Sequence, residues 1–219
     1  MDIMEMMKAR HSVRQYENRE IEGDKRQRLL EEIQTINQES GLNIQIFFDE
    51  PKCFDSMMAH YGKFTGVQNY IALVGPKGSP LDEKCGYYGE RLVLLAQSLG
   101  LNTCWVAMTH GKSAAKISAG EKQACLIALG YGTNTGVVHT SKGLSKVAKI
   151  DDGTEMPEWF RKGMEAALLA PTAMNQQKFL FELKEDTVRA KVSGFGFYTK
   201  MDLGIVKYHF EAVTGKRVN

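Results

Sequence analysis

The sequence predicts an α+β fold. Three observations carry that prediction. One stretch of residues 24–38 repeats its apolar side chains at helical spacing, and another, residues 91–99, is apolar almost all round. Short continuous apolar runs of strand length, such as Tyr70–Val74 and Gln123–Leu129, stop at glycine or proline. A plan of helix, turn and strand occurs in residues 24–48 and again in residues 157–183.

In chain order, Leu29, Leu30, Ile33 and Ile36 define the inward face of the first long helix. Asp24 is its expected N-cap, and Gly41 fits the left-handed position past its end. Residues 43–48 begin to alternate and read as a strand, whereas 49–66 read as irregular. Tyr70–Val74 reads as a buried strand closed by Gly75-Pro76. Gly86-Tyr87-Tyr88-Gly89-Glu90 leads into the apolar helix 91–99, which Gly100-Leu101 should stop in a Schellman turn. Residues 102–107 form another strand, 111–121 a loop and helix, and 123–129 a strand that enters Gly130-Tyr131-Gly132-Thr133-Asn134-Thr135-Gly136. A strand before Gly-x-Gly invites a dinucleotide-binding reading. The spacing is Gly-x-Gly-x-x-x-Gly and residues 137–142 look extended rather than helical, so that reading is rejected.

Asp151-Asp152-Gly153 is the best linker and divides the chain into residues 1–150 and 151–219. Pro157 suits a helix start; Phe160, Gly163, Met164, Ala167 and Leu168 share one helical face that Pro171 must end. Pro171–Gln177 is a turn, 179–183 a strand and 202–213 a last helix.

Composition narrows the function. The 219 residues are 43% apolar and 25% charged with a formal net charge of +2. That balance gives no reason to expect nucleic acid or a membrane surface as partner. No apolar run has the length of a spanning helix, and Asp2 and Glu5 interrupt the pattern of a signal peptide. Cys53, Cys85, Cys104 and Cys125 form no Cys-x-x-Cys pair, and the five histidines show no metal spacing. Reduced thiols in a cytoplasm and no metal are the expectation.

The most informative stretch is Lys8-Ala9-Arg10-His11-Ser12-Val13-Arg14-Gln15-Tyr16. Arg10 and Arg14 are four apart and would share a face on a helix. Guanidinium forks, a serine hydroxyl and an imidazole suit an anion such as phosphate. Residue types alone are equally served by a solvated basic turn. The order of residues, ARHSVRQY, resembles the N-terminal signature of the FMN-dependent nitroreductase family. Further segments are similar to that family's pattern: A-x-x-L-G-L-x-T-x-W up to Trp105, Trp105-Val106-Ala107-Met108, Leu129-Gly130-Tyr131-Gly132 with Gly132 in place of a proline, and Lys142-Gly143-Leu144. Ala170-Pro171-Thr172-Ala173-Met174-Asn175-Gln176-Gln177 resembles A-P-S-x-x-N-x-Q, displaced here toward the C-terminus.

The resemblance implies a nitroreductase-like fold: a central, mostly antiparallel sheet flanked by helices. With the displaced motif and the internal repeat, it is closest to the subgroup in which two such halves are fused in one chain, a pseudo-dimer. It implies FMN as cofactor. Arg10, Ser12 and Lys142 would contact phosphate or ribityl oxygens, His11 would lie beside the chain or pyrimidine edge, and Arg14 would sit near N1 and O2. Ala107 or Met108 would offer a backbone N–H to N5. Pro171, Thr172, Ala173 and Asn175 would contact the flavin from the second half, with Gln177 also at a motif position. Hydride chemistry on N5 requires no catalytic side chain. The activity implied is ping-pong reduction of nitroaromatic, quinone or related acceptors by NAD(P)H. A flavin-binding or regulatory protein with little turnover is the alternative. A monomer and a homodimer are both compatible with the pattern.

Overall fold

The structure, a computed structural model, describes residues 2–151 and 155–219. Asp152 and Gly153 of the expected linker lie outside the described residues. The helices are α1 (Ile3–Ala9), α2 (Gly23–Ser40), α3 (Met57–Tyr61), α4 (Leu81–Ser98), α5 (Glu158–Leu169) and α6 (Thr199–Thr214). The strands are β1 (Gln45–Phe47), β2 (Asn69–Pro76), β3 (Asn102–Val106), β4 (Glu121–Gly130), β5 (Ala148–Ile150), β6 (Phe179–Lys184) and β7 (Thr187–Val192).

The chain forms two compact units. One comprises Ala9–Leu81 and Arg91–Val137; the other comprises Met1–Lys8, Asp82–Glu90 and Val138–Asn219. The last change of unit along the chain falls between Val137 and Val138. The second unit also takes the first half of α4, because that half packs on α6.

In the first unit, β1, β2, β4 and β3 lie in that order, all neighbours antiparallel. β2 is buried from Asn69 to Gly75, as its unbroken apolar run requires. Val13, Tyr16, Phe54, Phe64, Tyr70, Cys104, Val106, Leu126 and Ala128 share its core. Helix α2 buries Leu29, Ile33 and Ile36, and Gly41 ends it at φ 69° with its N–H on the Asn37 carbonyl. Leu30 remains 46% exposed, off the inward stripe. The N-cap position is Glu22, without a side-chain cap, and Asp24 sits inside the first turn, where a carboxylate still favours the dipole.

Three expectations change here. Helix α4 starts at Leu81, so Gly86–Glu90 are inside it. The 49–66 stretch contains the short helix α3, capped by the Ser56 hydroxyl accepting from Ala59 N–H at 3.2 Å. Residues 111–119 hold no helix. The amide and carbonyl of Lys116 bond instead to the Gln45 side chain, at 2.9 and 2.8 Å, and Ala114 N–H donates to the Tyr70 hydroxyl at 2.8 Å. The Schellman stop of α4 holds: Leu101 N–H reaches back to the Ala96 carbonyl at 2.9 Å.

In the second unit, β5, β6 and β7 form a three-stranded sheet, β5–β6 parallel and β6–β7 antiparallel. Four of the five strand pairings in the described residues are thus antiparallel. Neither β5 nor β7 was expected, and residues 137–142 form no strand. Helix α5 buries Phe160, Gly163, Met164, Ala167 and Leu168 as expected, with Pro157 at its N-cap. A Cβ on Gly86 of α4 would collide with the Met201 carbonyl of α6, and one on Gly204 would collide with the Glu83 carbonyl. Helix backbones touch at that crossing because neither residue has a side chain. Helix, strand, antiparallel strand and helix follow one another in α5–β6–β7–α6, and α2–β1–β2–α4 has the same order with α3 inserted between β1 and β2.

Candidate functional site

Helix α1 stops at Ala9, and Arg10–Tyr16 runs extended rather than helical. Its backbone is claimed by neighbours. Val13 N–H donates to Thr103 of β3, Tyr16 N–H to Thr65, and Thr65 N–H returns to Arg14. Val13 and Tyr16 anchor it in the core, and the Tyr16 hydroxyl donates to the Val13 carbonyl at 2.8 Å. Arg10, Ser12 and Arg14 are therefore carried on extended chain, not on a helical turn. All three act on Cys104 of β3. Burial pushes that thiol up; the Arg14 charge, a Ser12 hydroxyl bond and the Arg10 charge pull it back. Arg10 is 4% exposed, while Arg14 is exposed.

The glycine-rich loop after β4 lies over this segment. Gly136 holds φ 76°, and a Cβ there would stand 2.7 Å from that of His11. Gly132 N–H donates to Asn102 Oδ1 at 2.9 Å, and Tyr16 bridges to Gly132. Proline could make no such bond, and a Cβ here would stand 2.7 Å from the Asn134 carbonyl oxygen, which favours glycine. Asn134 Nδ2 donates to Gln15 Oε1 at 3.0 Å. Ala107 and Met108 follow β3 in irregular chain, Ala107 half-buried and Met108 64% exposed.

The second unit carries the other motif. Met174, Asn175 and Gln177 hold φ of 50°, 53° and 44°. Left-handed backbone at residues other than glycine costs of order 1–3 kcal/mol each and persists where surroundings over-determine it. They do so here. Gln177, 2% exposed, donates from Nε2 to the Thr140 carbonyl at 2.8 Å and to Asn175 Oδ1 at 2.7 Å. Its Oε1 accepts from Lys142 N–H at 2.8 Å, and its own N–H donates to Thr172 Oγ1 at 3.1 Å. Asn175 Nδ2 also bonds the Thr140 carbonyl, at 2.9 Å. Lys142 Nζ donates to the Gln176 and Gln177 carbonyls, at 2.8 and 2.9 Å. Lys142, Thr172, Asn175 and Gln177 thus form one network; Pro171 is half-buried at its edge.

Asp202 completes the network, and the sequence reading missed it. Its carboxylate accepts from Ala173 N–H at 2.9 Å and from Gln176 Nε2 at 2.7 Å. It is 3% exposed, and burial pushes its carboxyl up to about 6 against the pull of those bonds. An acid in the first turn of a helix was the available signal, and it reads equally well as a dipole partner.

Among the described residues, no group of three or more His, Cys, Asp or Glu is placed to hold a metal ion. No described helix is long and apolar enough to cross a membrane.

A family model described as "Putative TM nitroreductase" matches residues 2–214. The chain belongs to the nitroreductase family. Its fold is nitroreductase-like, α+β with an antiparallel sheet flanked by helices. The structure of a "putative nitroreductase" from Thermotoga maritima MSB8 superposes with TM-score 0.68 at 21% identity, covering 97% of this chain and 83% of that one. Two more share the fold at TM-score 0.52 and cover 66% of this chain. One is a "putative NADH dehydrogenase/NAD(P)H nitroreductase" of Bacteroides thetaiotaomicron, 19% identical and 95% covered. The other is a "putative nitroreductase in complex with FMN" from Desulfovibrio desulfuricans, 16% identical and 93% covered. No curated protein matches the sequence.

Proposed function

We propose that this nitroreductase-family chain binds FMN and uses NAD(P)H to reduce nitroaromatic, quinone or related acceptors. The observation that carries the reading is the basic segment from Arg10 to Arg14, held in place by Val13 N–H on the Thr103 carbonyl and Thr65 N–H on the Arg14 carbonyl, in a chain whose family model spans residues 2–214. Two guanidinium groups and a hydroxyl within one short segment match the donor demand of a phosphate and its ribityl chain. His11, beneath Gly136, borders the same segment. In this reading Ala107 and Met108 offer main-chain donors to the ring. Pro171, Thr172, Ala173 and Asn175 contribute from the second unit, and Lys142 adds its charge. Asn175 and Lys142 already hold the turn in shape, so their first contribution is to its geometry.

FMN, when bound, supplies the two-electron chemistry; the chain supplies binding, orientation and electrostatics. The same reading takes the chain as two related halves. The order α5–β6–β7–α6, matched by α2–β1–β2–α4 apart from the inserted α3, and the α4–α6 crossing support that view.

The test is spectroscopic. Purified protein supplemented with FMN and freed of excess should be yellow, and anaerobic NADH or NADPH should bleach it. Protein that stays colourless after FMN overturns the reading. Bound flavin that neither nucleotide bleaches removes the reductase part and leaves a flavin-binding protein.

A further inference from the structure

Among the described residues, seven other than glycine hold a positive φ, and four of these lie in two segments tied to one carboxylate. Met174, Asn175 and Gln177 belong to the turn after α5, and Tyr198, at φ 60°, stands at the N-cap of α6. Asp202 of α6 is 3% exposed and accepts from Ala173 N–H at 2.9 Å and from Gln176 Nε2 at 2.7 Å. Gln176 Nε2 also donates to the Phe197 carbonyl at 2.7 Å. One amide thus joins the turn, the loop 193–198 and the buried carboxylate.

Apolar burial holds these segments down only weakly. Met174 is 81%, Phe195 98% and Phe197 74% exposed, so lifting them uncovers little apolar surface. Left-handed backbone at residues other than glycine is strained, and release relieves it. Lys178 Nζ donates to the Phe195 carbonyl, a bond that water can replace. The far ends are fixed more firmly. Gln177 is bonded to Thr140, Thr172, Lys142 and Asn175, and Ser193 N–H donates to the Lys178 carbonyl at 3.0 Å.

We infer that residues 173–176 and 194–198 form a cover over Asp202 that lifts as one unit when the carboxylate ionises and takes up water. Burial pushes the covered carboxyl up to about 6, against 3.8 as its ordinary value. The covered state therefore holds the proton more tightly than the open one, and opening is favoured as pH rises through about 6. The ionisable groups nearby in the chain are Lys142, Lys178, Tyr198 and Lys200. Helix α4 carries Asp82, Glu83, Lys84, Tyr87 and Glu90, helix α5 carries Glu158, Arg161, Lys162 and Glu165, and the sheet carries Glu182, Arg189 and Lys191. None of these sets the Asp202 carboxyl, which responds to burial, to Ala173 N–H and to the Gln176 side chain. No cofactor enters the inference, since cover and carboxylate lie in one compact unit.

The test is residue-resolved amide hydrogen exchange of the full chain from pH 4 to pH 7, corrected for intrinsic rates. The reporters are the N–H groups of Asn175, Gln176 and Asp202, bonded to the Thr172, Ala173 and Tyr198 carbonyls. They should open together, at least about tenfold more often than the amides of α5, and with little response to dilute urea because little surface is uncovered. Their open fraction should rise roughly 50-fold from pH 4 to pH 7. In Asp202→Asn it should not change with pH. Wild-type reporters that exchange no faster than α5, a flat wild-type pH profile, or different profiles for turn and loop would each overturn the inference, whether or not the variant folds. So would an unaltered pH dependence in folded Asp202→Asn.

Discussion

Gly86 and Gly204 face each other reciprocally where α4 crosses α6. Gly86 lies against the carbonyl of Met201 and the amide of Ile205; Gly204 lies against the carbonyl of Glu83 and the amide of Tyr87. Each glycine meets the residue three before and the residue one after its counterpart, the pattern of a local two-fold axis. Around it, Lys207 Nζ bonds Glu83 at 2.7 Å and the Tyr87 hydroxyl bonds Glu211 at 2.8 Å.

The reciprocity makes a quantitative prediction. Gly86→Ala and Gly204→Ala should destabilise the protein by similar amounts, about 1–3 kcal/mol each, because the obstructing atoms are backbone and the helices must separate. Alanine's helix-propensity advantage of about 1 kcal/mol offsets only part of this. Urea unfolding of both variants checks it. If one substitution is tolerated and the other is not, the crossing is not two-fold in energy.

Asp202 sets a pH dependence. Its carboxyl stands at about 6 in the folded protein against 3.8 as the ordinary value. The folded state thus holds the proton more tightly than the unfolded chain. Stability from this group is full below about pH 4 and is lost as pH rises through about 6, by roughly 2–3 kcal/mol. Asp202→Asn cannot ionise, yet its oxygen still accepts from Ala173. From pH 4 to pH 7 the urea midpoint of wild type should fall relative to that of the variant. Parallel profiles would show that Asp202 does not titrate in this range.

The elements that the sequence shows plainly are those with an apolar rhythm of their own. Leu29, Ile33 and Ile36 announce α2, and the run 70–74 announces β2, because burial alone decides them. The alternation Val188, Ala190, Val192 was also present for β7 and passed unread. Residues 111–119 were not legible. What fixes them is the side chain of Gln45 and the hydroxyl of Tyr70, far away in the chain. The same holds at the site. The basic segment was visible as a motif, but its extended course arises from backbone pairing with Thr103 and Thr65, which no local pattern encodes. Gln177 was legible as a motif letter, whereas its part in holding left-handed Asn175 emerges only from the fold.

A buried polar pair in the second unit gives a third prediction. His209 and Glu90 are both 0% exposed, with Nε2 2.9 Å from Oε1. Nδ1 stands 2.8 Å from the Ala166 carbonyl, an acceptor only, so Nδ1 carries hydrogen. The pair ties α4 to α6 and α5 together. Glu90→Leu alone strands the imidazole and should cost about 3–5 kcal/mol. Glu90→Leu/His209→Leu should recover much of that loss. A double-mutant cycle from urea unfolding should give a coupling above about 1 kcal/mol; additive losses would mean that the two side chains do not depend on each other.

The basic segment separates binding from folding. Arg14 is exposed and its backbone, not its side chain, joins Thr65. Arg14→Ala should therefore leave the urea midpoint within about 0.5 kcal/mol of wild type. If its guanidinium holds FMN, the same substitution removes a bond to an electron-rich group, worth about 1.5–3 kcal/mol. FMN affinity, followed by quenching of flavin fluorescence, should then drop by about 10- to 100-fold. Arg10 differs: at 4% exposure its side chain also packs, so Arg10→Ala should lower stability and affinity together. Unchanged FMN affinity in Arg14→Ala, with the fold intact, would return this stretch to the status of a solvated basic segment.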